Sequence, residues 1–172
     1  MEKPKFVYVT YIRTTPKKLW QALTQPEFTR QYWCDTWQES DWKKGSTWRM
    51  RIPDGSAADT GQILEIEPEQ RLVLTWRNER SPELRAEGYS RLTYELEQQG
   101  DMVKLTVMHE MDTPGSKFIQ KVSNGWPAIL ASLKSLLETG ESLEATRRWP
   151  EGGCDSNSKL QVTTEKEPAG KV

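Results

Sequence analysis

Alternating and helical spacings take turns along this chain. KFVYVTYIR (5–13) is rich in β-branched and aromatic residues and predicts a strand, with apolar groups on both faces. TTPKKLWQALTQ (14–25) changes the period. Thr15 suits an N-cap and Pro16 the first helical position, and Leu19, Trp20 and Leu23 fall on one helical face. Pro26 stops that helix and opens a second short one carrying Phe28, Tyr32 and Trp33.

From Asp35 onward the pattern is that of short strands. DTWQESDW (35–42) is one candidate. STWRMRIP (46–53) puts Trp48, Met50 and Ile52 on one face and Thr47, Arg49 and Arg51 on the other. PDGSAAD (53–59) is a turn by its Pro, Gly and Asp content. TGQILEIEPEQ (60–70) and RLVLTWRNER (71–80) predict two more strands, the second with Leu72, Leu74 and Trp76 together. SPELRAEG (81–88) reads as a loop. YSRLTYELEQQ (89–99) aligns Leu92, Tyr94 and Leu96, and a tight turn at Gln99, Gly100 and Asp101 leads into DMVKLTVMHEM (101–111). There Val103, Leu105, Val107, His109 and Met111 share a face.

A run of antiparallel strands, each apolar on one side, needs a cover. GWPAILASLKSLLETG (125–140) is the large helix able to supply one. Trp126, Ile129, Leu130, Leu133, Leu136 and Leu137 lie within an arc of about 120°. Gly140 is a stop signal, and Gly125 with Pro127 predicts a start or a bend near Ser123. SKFIQKVSN (116–124) would be an upstream helical portion. After Gly140 the apolar period is lost. Residues 1–148 read as one domain and 149–172 as a disordered polar tail.

Composition narrows the function classes. The 172 residues carry 24 Lys plus Arg against 25 Asp plus Glu, a balance that predicts no nucleic acid partner. No apolar run is long enough for membrane insertion. With 2 Cys and no apolar leader, a cytoplasmic setting is expected, with Cys34 as a buried structural thiol. One His and two Cys make a poor metal set, and no phosphate loop or dinucleotide fingerprint is present, so neither metal nor cofactor is expected. There are 8 Trp, and all but Trp149 lie between Trp20 and Trp126; they either fill a core or line a cavity.

Four segments in this order are also familiar: TTPKKLWQALTQPEFTRQYW, GQILEIEPEQRLVLTW, TYELEQQGDMVKLTVMHEM and GWPAILASLKSLLETG. Together they resemble the single-domain form of the activator of heat-shock-protein-90 ATPase homologue family, over residues 5–140. The resemblance implies the α+β helix-grip fold of the START-like, birch-pollen-allergen-like superfamily. In that fold a curved antiparallel sheet of about seven strands wraps a long C-terminal helix, and two short helices follow the first strand. It also implies a cavity between sheet and helix.

Such a cavity would be lined by Trp33, Trp48, Met50, Leu74, Trp76, Tyr94, His109, Trp126, Ile129 and Leu133. The expected occupant is a small hydrophobic or amphipathic molecule, bound without chemistry. A chaperone partner is one alternative. The other is a cyclase, dehydratase or hydrolase using His109 as acid or base. His109 is the only histidine, and strand alternation turns it inward, where it reads as a buried, hydrogen-bonded ring. A general base needs an orienting partner. Glu95 and Glu110 face outward by the same alternation, which leaves Tyr94 as the expected polar neighbour.

Overall fold

The computed structural model describes residues 2–150. β1 (Lys5–Ile12) leads to α1 (Pro16–Thr24), capped as expected by the Thr15 hydroxyl, which accepts from the Lys18 N–H at 3.2 Å. α2 (Pro26–Tyr32) follows after a single residue, Gln25. Four strands come next: β2 (Trp37–Ser40), β3 (Thr47–Arg51), β4 (Ala57–Glu67) and β5 (Arg71–Asn78).

The expected loop at 81–88 contains a short helix, α3 (Pro82–Ala86). Its signal is local: Ser81 caps the Leu84 N–H at 3.4 Å and Pro82 occupies the first turn. β6 (Ser90–Gln99) and β7 (Met102–Glu110) form a hairpin closed by Gly100 and Asp101, with Gly100 at φ 63°.

The strands make one antiparallel sheet in the order β1-β7-β6-β5-β4-β3-β2. The first strand therefore lies beside the last, and α1 and α2 span from one sheet edge to the other. The inward faces are those the alternation indicates. Val103, Leu105, Val107 and His109 are fully buried, as are Leu72, Leu74 and Leu92.

At the middle of the sheet the β4–β5 ladder skips Gly61 and Gln62, and the Gln62 N–H bonds to Thr75 Oγ1 at 2.9 Å in place of a backbone carbonyl. A glycine is required there, because a Cβ on Gly61 would lie 1.7 Å from the Thr75 carbonyl oxygen.

The sheet grips α4 (Lys117–Thr139). Ser116 caps it, accepting from the Ile119 N–H at 3.1 Å, and Gly140 closes it in the left-handed conformation at φ 85°. The helix runs uninterrupted through Gly125 and Pro127, so the expected start at that point is corrected: Ser116 supplies the start nine residues earlier. Pro127 leaves the Ser123 carbonyl without its intrahelical donor. Burial of Trp126, Ile129, Leu130 and Leu133 on the flanking turns offsets that loss, each contributing on the order of 2 kcal/mol.

Beyond α4 a 3₁₀ turn (Glu144–Thr146) bonds back to the α2 end, through Cys34 N–H to the Thr146 carbonyl at 2.6 Å. Trp149, placed by the sequence at the head of the tail, packs half-buried against the core. The rest of the expected tail, from residue 151, lies outside the described residues.

Candidate functional site

His109 sits on β7 with its ring under α4. Its surroundings fix its protonation. Ser90 Oγ donates to the Trp76 carbonyl at 2.8 Å, so the same oxygen must accept from His109 Nε2–H, also at 2.8 Å. Trp126 Nε1–H is a donor only, and it reaches His109 Nδ1 at 3.2 Å. The first contact places a proton on Nε2 and the second requires a bare Nδ1, so together they fix the neutral Nε2–H tautomer. The ring is fully buried, and that desolvation lowers its pKa from 6.5 to about 3.

Tyr94, the neighbour expected from the sequence, is not the partner. Its hydroxyl makes no hydrogen bond, and burial raises its pKa well above the usual phenol value. Ser90 lies on the same face of β6 two residues before Leu92, which is the strand partner of His109, and so comes within reach of the ring.

This arrangement has a pH signature. The folded pKa of His109 is depressed, so the unfolded chain binds a proton that the native state refuses. Stability is therefore intact above about pH 6.5 and falls as pH drops toward 3, by up to about 1.4 kcal/mol per pH unit. The carboxyls held low by arginine or lysine partners, Glu39, Glu65 and Glu138 among them, start from 4.5 and add their losses only below that value. Urea unfolding at pH 7, 6 and 5 is expected to show the decline, and an unchanged midpoint across that range would contradict it.

Next to His109 is a cluster of indoles. Trp76 packs on Trp48 at 4.8 Å, on Trp33 at 5.9 Å and on Trp126 at 6.1 Å, and Trp33 meets Trp126 at 5.1 Å. The cluster floors a pocket of about 260 Å³ between the sheet and α4. Five of the ten expected residues line it: Trp33, Met50, Trp76, Trp126 and Ile129. The other five, Trp48, Leu74, Tyr94, His109 and Leu133, are 0 or 1% exposed and lie behind the lining. The cause is depth. The indoles of Trp76 and Trp126 stand between His109 and the open space. Trp48 is fixed from the other side, where its Nε1–H donates to Gln38 Oε1 at 2.9 Å.

Sequence reasoning missed the polar half of the pocket. Asn78 ends β5, Arg80 and Ser81 come from the connection to α3, Asp59 from β4, Lys121 from α4, and Trp149 from beyond the 3₁₀ turn. A sequence signal existed in the Ser-Pro cap at 81–82 and in the isolated Trp149.

Cys34 borders this region and is not the free thiol expected: it is buried and disulfide-bonded. The other cysteine, Cys154, lies outside the described residues. Cys34 and Asp35 are both left-handed, at φ 52° and 57°, which turns the chain sharply after Trp33. Among the described residues no group of three or more His, Cys, Asp or Glu could hold a metal, and no helix is long and apolar enough to cross a membrane.

Comparison with solved structures gives the same architecture. DynU16, from the dynemicin biosynthetic locus, superposes with a TM-score of 0.66 at 18% identity, covering 86% of this chain and 51% of its own. The Aha1 dimer from Colwellia psychrerythraea gives 0.64 at 18% identity, with 80% and 98% covered. PFC0360w, an HSP90 activator from Plasmodium falciparum, gives 0.61 at 22% identity, with 77% and 95% covered. At these identities the likeness is one of fold. No curated protein sequence matches the chain. A family model does match, over residues 13–138, from the end of β1 to the last turn of α4. By that match the chain belongs to the Activator of Hsp90 ATPase homolog 1-like family.

Proposed function

We propose that the protein binds a small hydrophobic or amphipathic molecule between the sheet and α4, without chemistry on it. The observation that carries this reading is the pocket of about 260 Å³ floored by Trp33, Trp76 and Trp126. An aromatic wall with a few polar groups on one side is the usual make-up of a ligand site. The state of His109 supports a non-catalytic role: both ring nitrogens are engaged, and the ring lies behind the lining.

Because three of the lining indoles touch one another, a bound aromatic is expected to quench or shift the intrinsic fluorescence. Titration with fatty acids, flavonoids and polyketide-like aromatics tests this. A flat signal for every compound would overturn it.

A chaperone-linked role is the competing reading, favoured by the family description and by the Plasmodium falciparum relative. A severalfold rise in the ATP turnover of a heat-shock protein 90 on adding this protein would reverse the order. A cytoplasmic setting belongs to the same proposal. The scarcity of cysteine supports it.

A further inference from the structure

The polar side of the pocket is biased toward hydrogen-bond donors. Asn78 Oδ1 is already occupied, accepting the Arg80 N–H at 3.1 Å and the Ser81 N–H at 2.9 Å, which leaves the Nδ2 amide hydrogens to the pocket side. Ser81 Oγ accepts from the Leu84 N–H, so its own proton remains to be given. The Arg80 guanidinium lies over the Trp149 ring at 5.1 Å and forms no salt bridge among the described residues. Trp76, in the floor, is 5% exposed, and its indole N–H has no hydrogen-bond partner. A buried donor left unpaired is costly, and it is a specific reason to expect an acceptor from outside the chain. Of the charged lining residues, Arg80 and Lys121 are cations and Asp59 an anion.

Size adds a second constraint. At about 260 Å³ the space lies just under the usual range for ligand pockets, which begins near roughly 300 Å³. It suits a body of one or two fused rings better than a long acyl chain.

We infer that the pocket selects a compact aromatic carboxylate. Its rings stack on Trp33, Trp76 and Trp126, and its carboxylate is held by Arg80 and the Asn78 amide. This rests on the binding reading above and narrows it to one ligand chemistry. Bidentate pairing with a guanidinium is the strongest recognition available to a carboxylate on this wall.

Three matched probes separate the two levels in isothermal titration calorimetry: 2-naphthoate, methyl 2-naphthoate and naphthalen-2-ylmethylamine. The acid is expected to bind about tenfold more tightly than the ester or the amine. In Arg80→Gln the ratio of acid to ester affinity is expected to fall to about one. If the ester or the amine binds as well as the acid, the carboxylate assignment falls and the binding reading stands. If the acid keeps its advantage in Arg80→Gln, the role given to Arg80 is overturned. If none of the three binds, both levels fall together for compact aromatics. Circular dichroism of Arg80→Gln confirms that the comparison is between folded proteins.

Discussion

Trp126→Ala is expected to destabilise the protein by about 3–5 kcal/mol, the range for removing a large aromatic from a core. Two losses combine. The indole is 4% exposed and packs against Trp33, Trp76, Tyr94 and His109, so truncation opens a cavity where the helix meets the sheet. It also removes the Trp126 N–H that donates to His109 Nδ1, leaving a buried acceptor unpaired at about 1–3 kcal/mol. Trp126→Phe separates the two effects. It restores most of the ring volume without the N–H, and is expected to retain more than half of the lost stability. Urea unfolding reads both variants, and a loss below about 1 kcal/mol in Trp126→Ala would contradict this account.

Gly61→Ala is expected to be at least as damaging, through backbone and not through packing. The new Cβ would lie 1.7 Å from the Thr75 carbonyl oxygen, and neither atom belongs to a flexible side chain that could swing aside. β4 and β5 would have to separate in mid-sheet, where the Gln62 N–H already donates to the Thr75 hydroxyl oxygen instead of a backbone carbonyl. A loss beyond about 4 kcal/mol, or failure to accumulate as folded protein, is the expected outcome. Gly100→Ala is the control. Gly100 has φ 63° but open space around it, so only the strain of about 1 kcal/mol is at stake. Near-equal melting temperatures for the two variants would refute the steric argument.

These two positions mark how far the sequence could be read. Trp126 was legible: its place at the head of an apolar arc put it against the sheet, where it lies. Gly61 was not, because a glycine within a strand pattern does not show which neighbouring carbonyl approaches it. The inward face of β7 followed from alternation, down to His109.

The partner of His109 did not follow. Which side chain crosses from β6 depends on register and on where α4 docks, and periodicity encodes neither, so Tyr94 was expected where Ser90 and Trp126 stand. β1 was ambiguous for a plain reason: both faces are apolar. The structure resolves it with Phe6 and Tyr8 packed against the core and Val7, Val9 and Tyr11 exposed at 50, 44 and 42%. The ten expected cavity residues are all buried, yet only half line the space. Burial is read from pattern; distance from a void is not. The polar wall was missed because it is assembled from several elements, with Arg80 and Ser81 in a connection, where pattern carries least.

The neighbouring of β1 and β7 has a consequence for how the chain is made. Its pairs run from Ile12 with Val103 to Lys5 with Glu110, so the partners are 91 to 105 positions apart. On the ribosome β1 emerges first and must wait for nearly the whole domain before its ladder can form. Until then its two apolar faces and both hydrogen-bonding edges are open to any other strand. Closing so long a loop late makes for slow folding, with most of the sheet preceding its own first strand. The hazard of aggregation falls in that interval, on a stretch of eight residues, KFVYVTYI, that the finished protein keeps at the sheet edge.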